Sequence, residues 1–283
     1  MRSFKRIAAG SLTAAALVLT AGCSSTTEDT QSSAQSQSQS GSGEVVTLNV
    51  GASPSPHAEI LQYVADNLAA ENGIELNIVE FTDYVQPNEA LEAGELDVNY
   101  FQTVPYLQTQ EEERGYDFAS GEGVHLEPVG IYSETITNLA DLPDDAQIGV
   151  ISDTSNQERA LTLLAEQGLV TLPESGDINV ATVTPANNYT LVEVEGPNLV
   201  RTLADVDIAV INGNYALSGG LEPSADALVL ESADNNPAVN ILAWKADSEK
   251  LAAIETLEEL LHRDEVREFI ALTWTDGSVI PAF

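Results

Sequence analysis

The stretch VVTLNVGASPSPHAEILQYVADNLAAENGIELNIVEF (45–81) decides the architecture. It opens on an apolar run rich in β-branched residues, 45–50, that reads as a buried strand. Over 56–70 the apolar period changes, and Ile60, Leu61, Val64 and Leu68 fall on one face of a helix. Asn72-Gly73 supplies a helix stop, and 74–81 reads as a second strand. A strand, a helix and a strand in that order join parallel neighbours, so a parallel sheet covered by helices is expected.

Downstream the alternation continues, with a short helix over 87–93, a strand over 98–101, a helix over 104–114 and a strand over 125–132. It then restarts with a strand at 148–151, a helix at 155–167 closed by Gly168, and a strand at 208–211 leading into a short helix near Tyr215. Strands over 227–230 and 239–244 follow, then one or two helices over 248–274. No internal repeat of fixed period is visible. Two α/β sets in one chain predict two lobes of mixed sheets flanked by helices, with a ligand cleft where strand ends of both sets meet.

Upstream, Arg2, Lys5 and Arg6 precede an apolar run over 7–21 that breaks at Gly22-Cys23. The run is shorter than the roughly 20 residues needed to span a bilayer, and Ser/Thr/Gln sequence follows it, so 1–22 reads as a signal peptide. Cys23 is the only cysteine, which excludes an internal disulfide and leaves no thiol for catalysis elsewhere. Leu19-Thr20-Ala21-Gly22-Cys23 resembles a bacterial lipobox, in which the thiol is acylated and the peptide is cut just before it; Thr20 stands where leucine is usual. The expected location is therefore the extracytoplasmic face of the cell membrane, held by lipid. The segment 23–44, lipidated Cys23 and its Ser/Gln-rich continuation, has too little apolar content to fold and reads as a tether. At about 5–6 Å × √n its reach is on the order of 25 Å.

All 45 Asp/Glu but only seven of the ten Lys/Arg lie beyond Cys23. So acidic a body repels phosphate backbones and anionic headgroups, which argues against nucleic acid as a partner. His57, His125 and His262 are widely separated, none has a second His or Cys at ligand spacing, and no metal or cofactor is expected. The sequence contains no P-loop, no G-x-S-x-G elbow and no C-x-x-C, so an enzyme is not expected either.

Arg159 lies in the first turns of a helix preceded by Asp153-Thr154-Ser155-Asn156, a cluster of N-cap residue types. A guanidinium beside free backbone N–H groups suits a small carboxylate; pairing with an acidic neighbour such as Glu158 or Glu195 is the competing reading. Tyr84, Phe101 and Tyr106 are placed to clasp an apolar side chain or, equally, to pack in a core. Asn212 and Asn240 sit at the ends of apolar strands, where an amide needs a partner: a ligand, a turn or a hydrogen bond between lobes.

The segments GASPSPHAEIL (51–61), FTDYVQPNEAL (81–91), VNYFQTVPYL (98–107), HLEPVGIYS (125–133), SNQERALTLL (155–164), AVINGNYAL (209–217) and VIPAF (279–283) together resemble the NlpA-type methionine-binding lipoproteins. The resemblance runs in order from Leu48 to Phe283 and implies a periplasmic-binding-protein fold of the second type, serving the permease and ATPase of an ABC importer. It implies a first lobe from 45–130 and 236–283 and a second from 131–235, with crossings near 128–133 and 233–237. Carried over by position, Arg159 holds the methionine carboxylate, Asn212 and Asn240 bind its amino-acid backbone, Tyr84, Phe101 and Tyr106 enclose the thioether chain, and Asn156 and Thr103 complete the ligand set. Thr103 stands where the family commonly has histidine, which leaves the side-chain selectivity open: L- or D-methionine, another small amino acid or a methionine dipeptide. His57 and His125 are read as structural hydrogen-bonding residues. A surface-anchored enzyme and an adhesin are the remaining alternatives.

Overall fold

The computed structural model describes residues 45–283, so the readings of 1–22, of Cys23 and of the tether lie outside the described residues. Strand β1 (Val46–Ala52) buries Leu48, Val50 and Ala52 completely, the period-2 pattern of a strand with one face in a core. The helical stretch after it opens in a wide turn (Pro54–Ala58), continues as α1 (Glu59–Val64), widens again over Ala65–Ala69 and stops at Gly73, whose φ of 75° is left-handed. Ile60, Leu61 and Val64 are fully buried, each worth about 1.5–3 kcal/mol of removed apolar surface. Strand β2 (Ile74–Glu80) pairs parallel with β1, completing the expected β-α-β unit.

The chain continues through α2 (Gln86–Glu92), β3 (Val98–Thr103), α3 (Val104–Arg114), β4 (Phe118–Ser120) and β5 (His125–Leu126). It then forms β6 (Gly130–Tyr132), β7 (Gln147–Ile151), α4 (Thr154–Glu166), β8 (Val170–Thr171), β9 (Thr184–Pro185), β10 (Thr190–Val194), α5 (Leu199–Thr202), β11 (Ile208–Ile211), α6 (Gly213–Ser218), α7 (Pro223–Asp226) and β12 (Val229–Leu230). Strand β13 (Val239–Lys245), helices α8 (Leu251–Leu261) and α9 (Asp264–Thr273) and strand β14 (Ile280–Pro281) complete it.

These strands form two mixed sheets and a separate two-stranded antiparallel sheet, β8-β9. The first has the order β14-β5-β13-β3-β1-β2, with β4 also on β13; the second has the order β10-β7-β11-β6-β12. Strands β1, β2 and β3 run parallel, while β13 joins β3 antiparallel, with Asn240 opposite Thr103. Each mixed sheet has its own apolar core, one built on Leu48, Val98, Leu242 and Leu257 and the other on Ile131, Ile148, Leu161 and Val210.

The single strand expected over 125–132 is two strands in different sheets. Pro128 lacks the N–H that a ladder requires, and the chain leaves β5 of the first sheet through Glu127, Pro128 and Val129 before entering β6 of the second. The return lies between β12 and β13. Strands β4, β8, β9, β10 and β14 carry no apolar run that the sequence pattern marks; in β10 only Val194 is buried. Among the described residues no helix is long and apolar enough to cross a membrane.

Candidate functional site

Where the two sheets approach, Tyr84, Phe101, Thr103, Tyr106, Asn156, Arg159, Asn212 and Asn240 line one cavity together with Gln102, Glu127, Gly213 and Asn214. The eight residues singled out from sequence are thus brought together. One wall comes from the first sheet: the loop before α2 carries Tyr84, the end of β3 carries Phe101 and Thr103, the first turn of α3 carries Tyr106, and β13 carries Asn240. The opposite wall comes from α4, with Asn156 and Arg159, and from the β11–α6 junction, with Asn212.

The aromatic wall is a cluster of rings, not a flat platform. Tyr84 lies 5.7 Å from Tyr106 and 6.1 Å from Phe101 between centroids, and 4.7 Å from Tyr215 of the other wall. Its hydroxyl donates to Asn214 Oδ1 at 2.5 Å, joining the two sheets, while Tyr106 donates to the Tyr84 carbonyl at 2.8 Å. Burial pushes the Tyr84 phenol well up from its ordinary range, so it stays a neutral donor.

Thr103 has a local role that its small size had obscured. It is the N-cap of α3, its hydroxyl accepting from the Tyr106 amide at 3.4 Å, with Pro105 in the first turn behind it. Asp153 caps α4 in the same way, accepting from the Asn156 amide at 3.0 Å. Burial raises the Asp153 carboxyl to about 6, against the hydrogen bonds from Asn156.

Arg159 does pair with an acid, but with neither Glu158 nor Glu195. Its Nε and Nη2 engage Glu231 at 2.9 and 2.5 Å, and Nη2 also donates to the Glu127 carbonyl at 2.8 Å. One edge of the guanidinium is thus held by protein, and the residue also lines the cavity. The sequence interval between Arg159 and Glu231 gives no hint of this pair, because three strands of the second sheet intervene.

Glu127 is the site residue that sequence reasoning missed most completely. It is 5 % exposed, sits on the crossing between sheets, and accepts from His125 Nε2 at 2.7 Å. Burial raises its carboxyl, opposed by His57 and Arg159. Gly213 approaches so closely that a Cβ there would lie 2.7 Å from that of Glu127, which is why glycine opens α6. The one signal available was a carboxylate inside the otherwise apolar stretch His125-Leu-Glu-Pro-Val129.

His57 and His125, far apart in sequence, meet in space with ring centroids 4.8 Å apart, and with Glu127 their ligand-type atoms lie within 4.8 Å of one another. Spacing along the chain could not reveal this cluster. Its nitrogens nearest Glu127 are used in hydrogen bonds: His125 to Glu127, and His57 Nε2 to Asn240 Oδ1 at 2.9 Å. Burial lowers His125 to about 3 and His57 to about 4, so both are neutral at neutral pH.

The space between the walls is about 20 Å³, room for a water-sized group and smaller than an amino acid. An open groove of about 480 Å³ between α3 and α4 adjoins it and shares Thr103, Asn156 and Arg159. Two mixed α/β sheets enclosing a polar, aromatic-walled cavity define the two-lobed periplasmic-binding-protein fold.

The chain belongs to the NlpA lipoprotein family, which it matches over residues 48–283. It is 38% identical over 239 residues to the methionine-binding lipoprotein MetQ of Bacillus subtilis, covering 82% of this chain and 86% of that one. A crystal structure of an Actinomyces odontolyticus protein, 62% identical, superposes with a TM-score of 0.84 over 85% of this chain and 100% of its own. A nutrient-binding protein of Burkholderia cenocepacia solved bound to methionine is 37% identical, with a TM-score of 0.79 over 83% of this chain and 100% of its own.

Proposed function

We propose that this protein is a lipid-anchored, non-enzymatic receptor on the extracytoplasmic face of the cell membrane that captures methionine and delivers it to the permease and ATPase of an ABC importer. One observation carries the reading: the cavity between the sheets combines donors and acceptors for a zwitterion with a wall of three aromatic rings. Arg159 and the two asparagines serve the charged ends, and Tyr84, Phe101 and Tyr106 take the thioether, whose polarisable sulfur suits ring contacts. A buried zwitterion must have both charges satisfied, which this set supplies.

Capture works by closure. Residues 45–130 and 236–283 form one lobe and 131–235 the other; the lobes part at the crossings to admit the solute and close with Tyr84 against Asn214. The closed form is the one offered to the transporter. A second reading is favoured by Thr103, which lies on both the cavity and the adjoining groove: a ligand longer than methionine, such as a methionine dipeptide, would extend past it.

Thermal-shift measurements against the twenty amino acids, D-methionine and methionine dipeptides separate these readings, because a ligand that binds only the native state raises the melting temperature. Methionine should give the largest shift among the amino acids; no shift with any of the panel would remove the receptor assignment.

A further inference from the structure

We propose that His57 and Asp153 are positioning residues that fix the polarity of the cavity, by locking Asn240 and Asn212 with opposite ends of their amides toward it. The inference rests on the reading that the site takes an amino-acid zwitterion. An amide side chain can face either way, and which end it shows to a solute is decided by the groups behind it.

Behind Asn240 the arrangement of partners assigns one order of donors. Tyr100 donates its hydroxyl hydrogen to His125 Nδ1, so His125 carries its hydrogen on Nε2 and gives it to Glu127 Oε1 at 2.7 Å. The same carboxylate oxygen lies 3.5 Å from His57 Nε2, which places the His57 hydrogen on Nε2 as well and leaves Nδ1 as the atom without a partner. That hydrogen goes to Asn240 Oδ1 at 2.9 Å. Turned over, Asn240 would set its NH₂ against the His57 N–H, donor against donor. Its oxygen is therefore committed, and Nδ2, which makes no hydrogen bond among the described residues, is what Asn240 offers the cavity as a donor.

Behind Asn212 the order is reversed. Asp153 Oδ1 accepts both the backbone N–H and the side-chain NH₂ of Asn156, at 3.0 and 2.9 Å. Asn156 is thereby left with Oδ1 for Asn212, which donates Nδ2 to it at 2.7 Å. Asn212 then presents its own oxygen, an acceptor, to the cavity. The cavity is therefore offered a donor by Asn240 and an acceptor by Asn212. A carboxylate belongs at the first and an ammonium at the second, with the side chain on the aromatic rings; the reverse orientation faces like against like at both ends.

The test compares L-methionine with L-methioninamide, whose carboxamide keeps the ammonium and side chain but replaces the carboxylate by a group that can also donate. Calorimetry on the purified full-length protein should show methionine preferred by at least about 100-fold. In His57→Phe, which fills the volume without an N–H, Asn240 is free to turn, and that preference should fall by at least about tenfold. In His57→Gln, whose amide can donate from the position of Nε2, the preference should be restored. Asn240→Asp removes the donor while keeping His57 and should lower the preference at least as far as His57→Phe does; it decides the question if His57→Phe does not fold. A preference for methionine unchanged in both His57→Phe and Asn240→Asp would overturn the inference while leaving the receptor reading intact. A wild-type protein that binds neither compound would overturn both.

Discussion

Arg159 and Glu231 meet edge to edge, with Nε to Oε1 at 2.9 Å and Nη2 to Oε2 at 2.5 Å, so one residue of α4 is held by the segment that returns the chain to the first sheet. The pair is 15% and 17% exposed, and it couples the binding cavity to a crossing between sheets. Arg159→Ala should lower methionine affinity at least about 100-fold, near 3 kcal/mol for a lost set of charged hydrogen bonds. It should also lower the melting temperature, because Glu231 is left without its partner. Glu231→Gln separates the two effects: affinity should fall less than in Arg159→Ala. Equal affinity in Arg159→Ala and the native protein, measured by calorimetry, would remove Arg159 from the ligand set.

Tyr84 belongs to one wall and hydrogen-bonds the other through Asn214. Tyr84→Phe keeps the ring contacts and removes this single bond, so the bound form should release methionine faster while the rate of capture hardly changes. The expected loss is about 1 kcal/mol, or roughly fivefold in affinity, carried by the dissociation rate in a stopped-flow measurement. An unchanged dissociation rate would show that the bond takes no part in closure.

The His125 environment predicts a pH dependence with a definite sign. In the folded chain His125 stays neutral down to about 3, whereas in the unfolded chain it takes up a proton near the ordinary histidine value of 6.5. Over that window the unfolded state binds more protons, so this contribution is fully present above pH 6.5 and is lost progressively as pH falls, at up to about 1.4 kcal/mol per unit. Asp153, raised to about 6, acts in the opposite direction below that pH, and so does Glu127. The difference between native protein and His125→Gln isolates the histidine. Between pH 7 and 5 in urea unfolding, the native chain should lose about 2 kcal/mol more than the variant. Equal losses would mean that His125 is not held neutral.

The β-α-β unit, the helix over Val104–Arg114 and the cap at Asp153 were legible because periodicity and capping are local. The eight cavity-lining residues could be grouped only through a resemblance carried position by position, since nothing local distinguishes a cavity-lining Tyr84 from a packed one. Glu231 was not legible, and Glu127 showed only as a carboxylate in an apolar stretch. Their roles come from strand order and from a crossing between sheets, both tertiary. The same holds for the meeting of His57 with His125, and for Thr103, whose capping role depends on where β3 ends and α3 begins.

Cys23 carries the expected membrane attachment. Cys23→Ser should move the protein from the membrane fraction to the soluble extracytoplasmic fraction without changing methionine affinity, as followed by fractionation and calorimetry. A variant that remains in the membrane fraction would point to attachment by an uncleaved apolar segment.

Capture of methionine by this protein is read out by equilibrium dialysis of purified, refolded protein against labelled L-methionine. One saturable site per chain is expected, displaced by unlabelled methionine and lost in Arg159→Ala. Saturable binding that survives Arg159→Ala, or no binding to the native protein, would contradict it.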